Sequence, residues 1–262
     1  MARLAYKRVV SRKRQIGSIG AFREPGQVGL AAGLLSFILL LLSLYSRSPI
    51  YLFAEPENLG SQSATLYTLF ESPITPTDYT AKLPFFPLPG GNPVIYRTET
   101  ETCQSPSCPT SLAFKAGRVF EPRHVYILMN LQEDSPPLVG QPLEGKRVGQ
   151  VALQFETRED GFVYFPLHAG KEVRDWLVGL SDEIAVTNTT SSNTHEAYYG
   201  VAKGSVVPAV IDLVDLEVPA YAPDKPLIGV WISDSSSQSL NSRSPGFQVV
   251  SVVIEAPRGP NK

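Results

Sequence analysis

Five carboxylates, Glu156, Glu159, Asp160, Glu172 and Asp175, fall within one stretch of 20 residues. Two acids so placed could hydrolyse a glycoside, one protonating the leaving oxygen while the other attacks or activates water. That chemistry needs a buried carboxyl with a raised pKa, and nothing around these five demands burial. They read better as the solvated face and turn of a hairpin. The three histidines, His124, His168 and His195, are too dispersed for a zinc motif. His124 opens a strand-like run, His168 precedes the turn residues Ala169-Gly170, and His195 follows the loop-like SSNT. Asp212 and Asp215 in VIDLVDLEV are of the calcium-ligand type, but strand alternation sends them to opposite faces. Serines lack a GxSxG elbow, and no glycine loop suits a phosphate. The reading therefore assigns no catalytic residue, no metal and no cofactor. His195, Tyr198 and Tyr199 are kept as loop binding candidates, because ligand contacts concentrate in loops.

What would position such residues depends first on topology. QVGLAAGLLSFILLLLSLYS, Gln27 to Ser46, carries no charge; as a helix it spans about 30 Å, the thickness of a bilayer's hydrocarbon core. Seven Lys and Arg precede it against one acid, Glu24, leaving 16 cations and 24 acids beyond it. By the positive-inside rule the N-terminus is cytoplasmic and the rest faces outward. The expected layout is a basic segment over 1–26, a transmembrane helix over 27–46, a Pro/Ser/Thr-rich linker with edge strands over 47–90, an extracytoplasmic domain over 91–258 and a tail over 259–262. Localisation is then the plasma or inner membrane, the alternative being an organelle inner membrane. A cleaved signal peptide fits less well, since the basic segment is long and no good small-x-small site follows. Gly29, Ala32, Gly33 and Ser36 are small residues at three- and four-residue spacing, suited to packing against another transmembrane helix. The acidic exterior would repel nucleic acid.

With an outward face, CQSPSC acquires a meaning. Cys103 and Cys108 are the only two cysteines, and outside the cytoplasm an adjacent pair favours a local disulfide. Such a small ring is worth about 2 kcal/mol by chain-entropy arithmetic. No further cysteine exists to complete a metal site, and thioredoxin chemistry uses a closer spacing. Asn188-Thr189-Thr190 is a glycosylation sequon.

Beyond the cysteines, about ten short β-branched and aromatic runs alternate with turn signals rich in the chain's 23 prolines and 20 glycines. VGQVALQFET and GFVYFPL flank Arg158-Glu159-Asp160 at hairpin spacing; EIAVTNTT reads as a strand, and Glu172 to Leu180 as the one short helix. The expected fold is mostly β, an antiparallel β-sandwich of jelly-roll type preceded by a single N-terminal transmembrane helix.

EDGFVYFPLHAGKEVRDWLVGLSDE, followed by IDLVDLEVP, PLIGVWIS and FQVVSVVIEA, resembles the closing half of galactose-binding-like jelly rolls, the discoidin and carbohydrate-binding-module type. The resemblance covers about residues 148–256 and rests on strand order and alternation. It implies a sandwich that binds through loops at one end, often with an aromatic platform. Trp176 and Trp231, however, both sit in apolar runs, so no loop platform is apparent.

Three functions remain open. The leading one is an accessory or structural subunit of a membrane complex, with the bilayer and other membrane-protein subunits as partners. A glycan or cell-wall binding module and an extracytoplasmic hydrolase are the alternatives.

Overall fold

The strand-like runs assemble as two antiparallel sheets packed face to face. The computed structural model describes residues 33–40, 49–57, 65–66, 75–76, 94–98, 109–132, 143–157, 161–178, 186–201, 206–234 and 245–258. The chain divides into two compact units, Met1–Ser48 and Pro49–Lys262. In the first, residues 33–40 are helical, and Leu34, Leu35, Phe37, Ile38, Leu39 and Leu40 are all exposed. Among the described residues no helix is long and apolar enough to cross a membrane. Most of the expected 27–46 span lies outside them, as do Gly29, Ala32, Cys103 and Cys108. Gly33 and Ser36 fall in the helical stretch and are exposed.

The second unit contains β1 (Pro49–Phe53), β2 (Glu55–Pro56), β3 (Thr65–Leu66), β4 (Thr75–Pro76), β5 (Val94–Arg97), β6 (Ser111–Val119) and β7 (His124–Leu131). After these come β8 (Arg147–Phe155), β9 (Phe162–His168), β10 (Thr194–Val201), β11 (Pro208–Glu217), β12 (Leu227–Asp234) and β13 (Phe247–Pro257). The larger sheet runs β3-β5-β13-β7-β11-β10-β4, with β1 added on β13; the smaller runs β2-β6-β12-β8-β9. The expected hairpin is present as β8 against β9. Pro49–Phe53, within the Pro/Ser/Thr-rich stretch expected as a linker with edge strands, pairs with Val253–Pro257.

Alternation explains how the sheets meet. Val151, Leu153 and Phe155 of β8, with Val230 and Ile232 of β12, face Val125, Ile127 and Met129 of β7 and Val252 and Ile254 of β13 in one apolar core. At about 25 cal/mol per Å² this burial is the main source of stability. Gly149 belongs to the same packing: a Cβ there would strike the Ser233 carbonyl oxygen and approach the Phe247 ring to 2.5 Å. The larger sheet also carries a second core on its outer face, made by Tyr126, Leu128, Tyr198, Ile211, Leu213 and Val253. That double burial is why HVYILMNL reads as a continuous apolar run rather than an alternating one.

Two expectations are corrected between β9 and β10. The described part of Glu172 to Leu180 is not helical. It bridges the strands where β7 and β11 diverge: Leu131 pairs with Asp175, Leu177 pairs with Ala209, and the Val210 N–H donates to the Trp176 carbonyl. Backbone groups that a helix would satisfy internally are satisfied by the sheet. Residues 186–190, expected as part of a strand, have no regular structure; Val186 is buried and its N–H donates to Asp175 Oδ2 at 2.8 Å.

Candidate functional site

The smaller sheet turns its second face outward, and the residues there follow from strand parity. Val230 and Ile232 enter the core, so Gly229, Trp231 and Ser233 point the other way. Register then sets three rows across the sheet: Ala113, Trp231, Ala152 and Tyr164; Lys115, Gly229, Gln154 and Phe162; Ser111, Ser233, Gln150 and Pro166. Trp231 and Tyr164 stand two strands apart, about 10 Å, with the small side chain of Ala152 between them. Gln150, Ala152 and Gln154 form a track along β8, bounded by an indole on one side and two rings on the other.

Several contacts fix these groups. The Trp231 Nε1–H donates to Gln154 Oε1 at 2.8 Å, which orients both the indole and the carboxamide. Gly229 leaves room for that pair, since a Cβ would lie 3.2 Å from the Gln154 oxygen and 3.5 Å from the indole nitrogen. Phe162 and Tyr164 stack with centroids 5.9 Å apart and planes inclined by 24°. Tyr164 is 55% exposed, whereas Trp231 and Phe162 are half-buried. Such a surface offers flat apolar faces beside amide donors and acceptors. Sugar rings match it well, having apolar C–H faces and hydroxyl edges.

A separate polar cluster occupies the outer face of the larger sheet. His124 Nδ1 lies 2.7 Å from Asp215 Oδ1, the Tyr126 hydroxyl donates to Glu255 Oε2 at 2.7 Å, and the His124 and Tyr126 rings stack at 5.6 Å. Burial raises the Tyr126 phenol far above its ordinary value, and Glu255, its hydrogen-bond partner, adds to this together with the charge of Asp215. A phenol held protonated so firmly is a poor acid or base near neutrality. Among the described residues no three His, Cys, Asp or Glu could hold a metal ion. The cluster therefore ties β7, β11 and β13 together. Because the folded pKa is raised, the tyrosine's contribution is complete below about pH 10, the unfolded value, and is lost as pH rises above it. The urea midpoint of the protein should accordingly fall between pH 9 and pH 11 by more than that of Tyr126→Phe; equal falls would show that another group governs alkaline stability.

The carboxylates singled out by spacing do not converge. Glu156 pairs with Arg118 at 2.6 Å in an exposed position, Glu172 accepts from the ring and backbone N–H of His168, and Asp175 is the Val186 acceptor. Glu159 and Asp160 lie outside the described residues. Neither are the three loop candidates in a loop. Pairing with β11 makes Thr194–Val201 a strand, so His195 lies on it, half-buried, beyond the Ser/Asn-rich loop. Tyr198 is buried in the outer-face core at 4% exposure, while Tyr199 is 44% exposed on the opposite face. They do not form one site. Asn188 of the sequon is exposed.

Trp231, Tyr164, Phe162 and Gln154 were absent from the sequence candidates. Their signal was parity: Trp231 stands between Val230 and Ile232, and Tyr164 beside Val163, each out of phase with a buried neighbour. For an indole in an apolar run, periodicity cannot say which face of a strand stays open. No protein family, curated protein or solved structure matches the chain, so the functional reading rests on the side chains themselves.

Proposed function

We propose that the chain is a single-pass, membrane-anchored protein whose extracytoplasmic β-sandwich binds an extended glycan across the open face of its five-stranded sheet. The observation that carries this reading is the row of Trp231, Ala152 and Tyr164 beside Gln150 and Gln154, two aromatic walls about 10 Å apart over a small floor. Stacking on the rings would supply most of the affinity, and the amides would select hydroxyl positions. A two-sheet antiparallel sandwich is also the architecture of galactose-binding-like jelly rolls, and the likeness over residues 148–256 lends support. The ligand face, however, is a sheet face rather than a loop end.

The anchor reading draws on the uncharged run Gln27 to Ser46 and on the seven cations before it. It gains support from six large apolar side chains exposed within residues 33–40, each worth about 1.5–3 kcal/mol when removed from water.

The test is affinity electrophoresis of the full chain in mild detergent through gels containing a soluble β-glucan, a xylan or a mannan, with tryptophan emission followed in parallel. Retardation in at least one gel, with a blue shift as Trp231 is covered, is expected. Unchanged mobility and emission with every polysaccharide would overturn the reading. Should a protein co-purify in stoichiometric amounts from the native membrane instead, the accessory-subunit reading would take its place.

A further inference from the structure

One end of the sandwich unit gathers features that neither the aromatic row nor the two cores use. Phe120–Arg123 joins β6 to β7, and Val218–Pro226 joins β11 to β12. The loops are tied together there: the Arg123 N–H donates to the Glu255 carbonyl at 2.8 Å, and the Val218 N–H donates to the Arg123 carbonyl at 2.8 Å. Pro49, where β1 begins, pairs with Pro257, two residues beyond Glu255. The sandwich therefore starts at this same end.

Two large aromatic side chains project from it. Phe120 is 61% exposed and Tyr221 is 80% exposed, one on each loop. A cleft of about 1030 Å³ runs between the loops, lined among others by Arg118, Phe120, Pro219, Pro223 and Lys225. The Arg118 guanidinium sits 5.7 Å from the Phe120 ring centroid. Charges of both signs border the aromatics: Arg118, Arg123 and Lys225 with Glu121, Glu156 and Asp224, all exposed. Pro122, Pro219, Pro223 and Pro226 give the loops few backbone N–H groups that require water.

We infer that this end of the sandwich rests on the lipid surface, with Phe120 and Tyr221 seated among zwitterionic headgroups. The inference rests on the anchor reading. Only Arg47 and Ser48 separate the uncharged run ending at Ser46 from Pro49, and three peptide steps reach about 10 Å at most. The end that holds Pro49 is thereby kept within a headgroup layer's depth of the bilayer. Tyrosine is favoured at that depth, its ring in hydrocarbon and its hydroxyl among polar groups, and an apolar phenylalanine ring can be buried at the headgroup and acyl boundary beside it. Mixed charges beside them suit phosphate and choline together, which is why the lipid named is phosphatidylcholine rather than an anionic one.

The full chain is reconstituted into phosphatidylcholine vesicles with or without brominated acyl chains, as wild type, Phe120→Trp and Tyr221→Trp. Trp176 and Trp231 lie elsewhere in the sandwich and supply the background emission. Vesicles are first washed in alkaline carbonate and floated. Flotation followed by a loss of about half of the added emission in each variant is expected for rings at the interface. Protein that fails to float overturns the anchor and this inference with it. Protein that floats while both added tryptophans stay as bright in brominated as in plain vesicles overturns the inference alone. The two substitutions sit on different loops at exposed positions, so misfolding of one leaves the other to decide.

Discussion

Replacing Arg174 with Met is expected to lower the stability of the sandwich by about 3–5 kcal/mol, the range for removing one partner of a buried ion pair. Arg174 holds Asp212 with two charge-assisted bonds, from Nε to Oδ2 at 2.7 Å and from Nη2 to Oδ1 at 2.8 Å, and also donates to the Thr187 carbonyl at 3.1 Å. Asp212 is 1% exposed; Asn130 Nδ2 donates to its Oδ2 at 3.0 Å, while the Asp212 N–H donates to Asn130 Oδ1 at 3.1 Å. The group lies at the fork between β7 and β11, where Asn130 takes over a ladder bond that the diverging strands no longer make. Burial pushes the Asp212 carboxyl upward, with Arg174 and Asn130 opposing it. For Arg174 burial acts downward, but the bonds and charge of Asp212, helped by Glu196, more than offset it and raise the guanidinium.

Without the guanidinium the carboxyl is pushed up further. A raised folded pKa means that Asp212 favours folding at pH values below its unfolded value near 4 and opposes it as pH rises above. The loss in Arg174→Met should therefore be greatest at neutral pH and smaller at pH 5, and a second change, Asp212→Asn, should restore much of it. Urea unfolding of the three proteins at both pH values checks this. A loss under about 1 kcal/mol, the size of a surface pair, or one independent of pH, would show that the pair does not bear on the fold in this way.

Trp231→Ala should weaken glycan binding by about 30-fold or more, the scale of a binding hot spot, while leaving the sandwich folded. The indole lies on the open face and is only half-buried, so its loss opens no cavity between the sheets. It also frees the Gln154 carboxamide from its orienting bond, which should blunt discrimination among polysaccharides as well as affinity. Trp231→Phe keeps a stacking face but not that bond; it should recover part of the affinity and less of the selectivity. Titration of each variant with the polysaccharide retained most strongly, alongside thermal unfolding, separates the two effects. Unchanged retention of Trp231→Ala would move the ligand to another surface.

Local pattern sufficed where a strand has one face in the core and one outside. β8 and β9 alternate cleanly, and their hairpin spacing was plain from GFVYFPL and its partner run. The pattern failed where partners are remote. PIYLF lies in a stretch rich in proline, serine and threonine, yet it gains a strand conformation from β13, about 200 residues away, a case of tertiary pairing overriding composition. VRDWLVGL resembles a helix because its apolar spacing suits one, but its described part, residues 173–178, is held by bridges to Leu131 and Ala209. His195 looked like loop because polar residues precede it, and only the β11 register reveals a strand. The aromatic row needed the sheet order, since Trp231 and Tyr164 are neighbours only through β8.

That the first strand closes on the last has a consequence for synthesis. β13 lies inside the larger sheet, with β7 on one edge and both β1 and β5 on the other, yet of the described strands it is synthesised after all the others. Until residue 257 has emerged, β1 has no partner and β7 has only β11 among the described strands. A topology with contacts so distant in sequence folds slowly, and the exposed strand edges of an unfinished sheet invite aggregation. The larger sheet therefore stays open along the β7 edge until β13 slides in as its keystone.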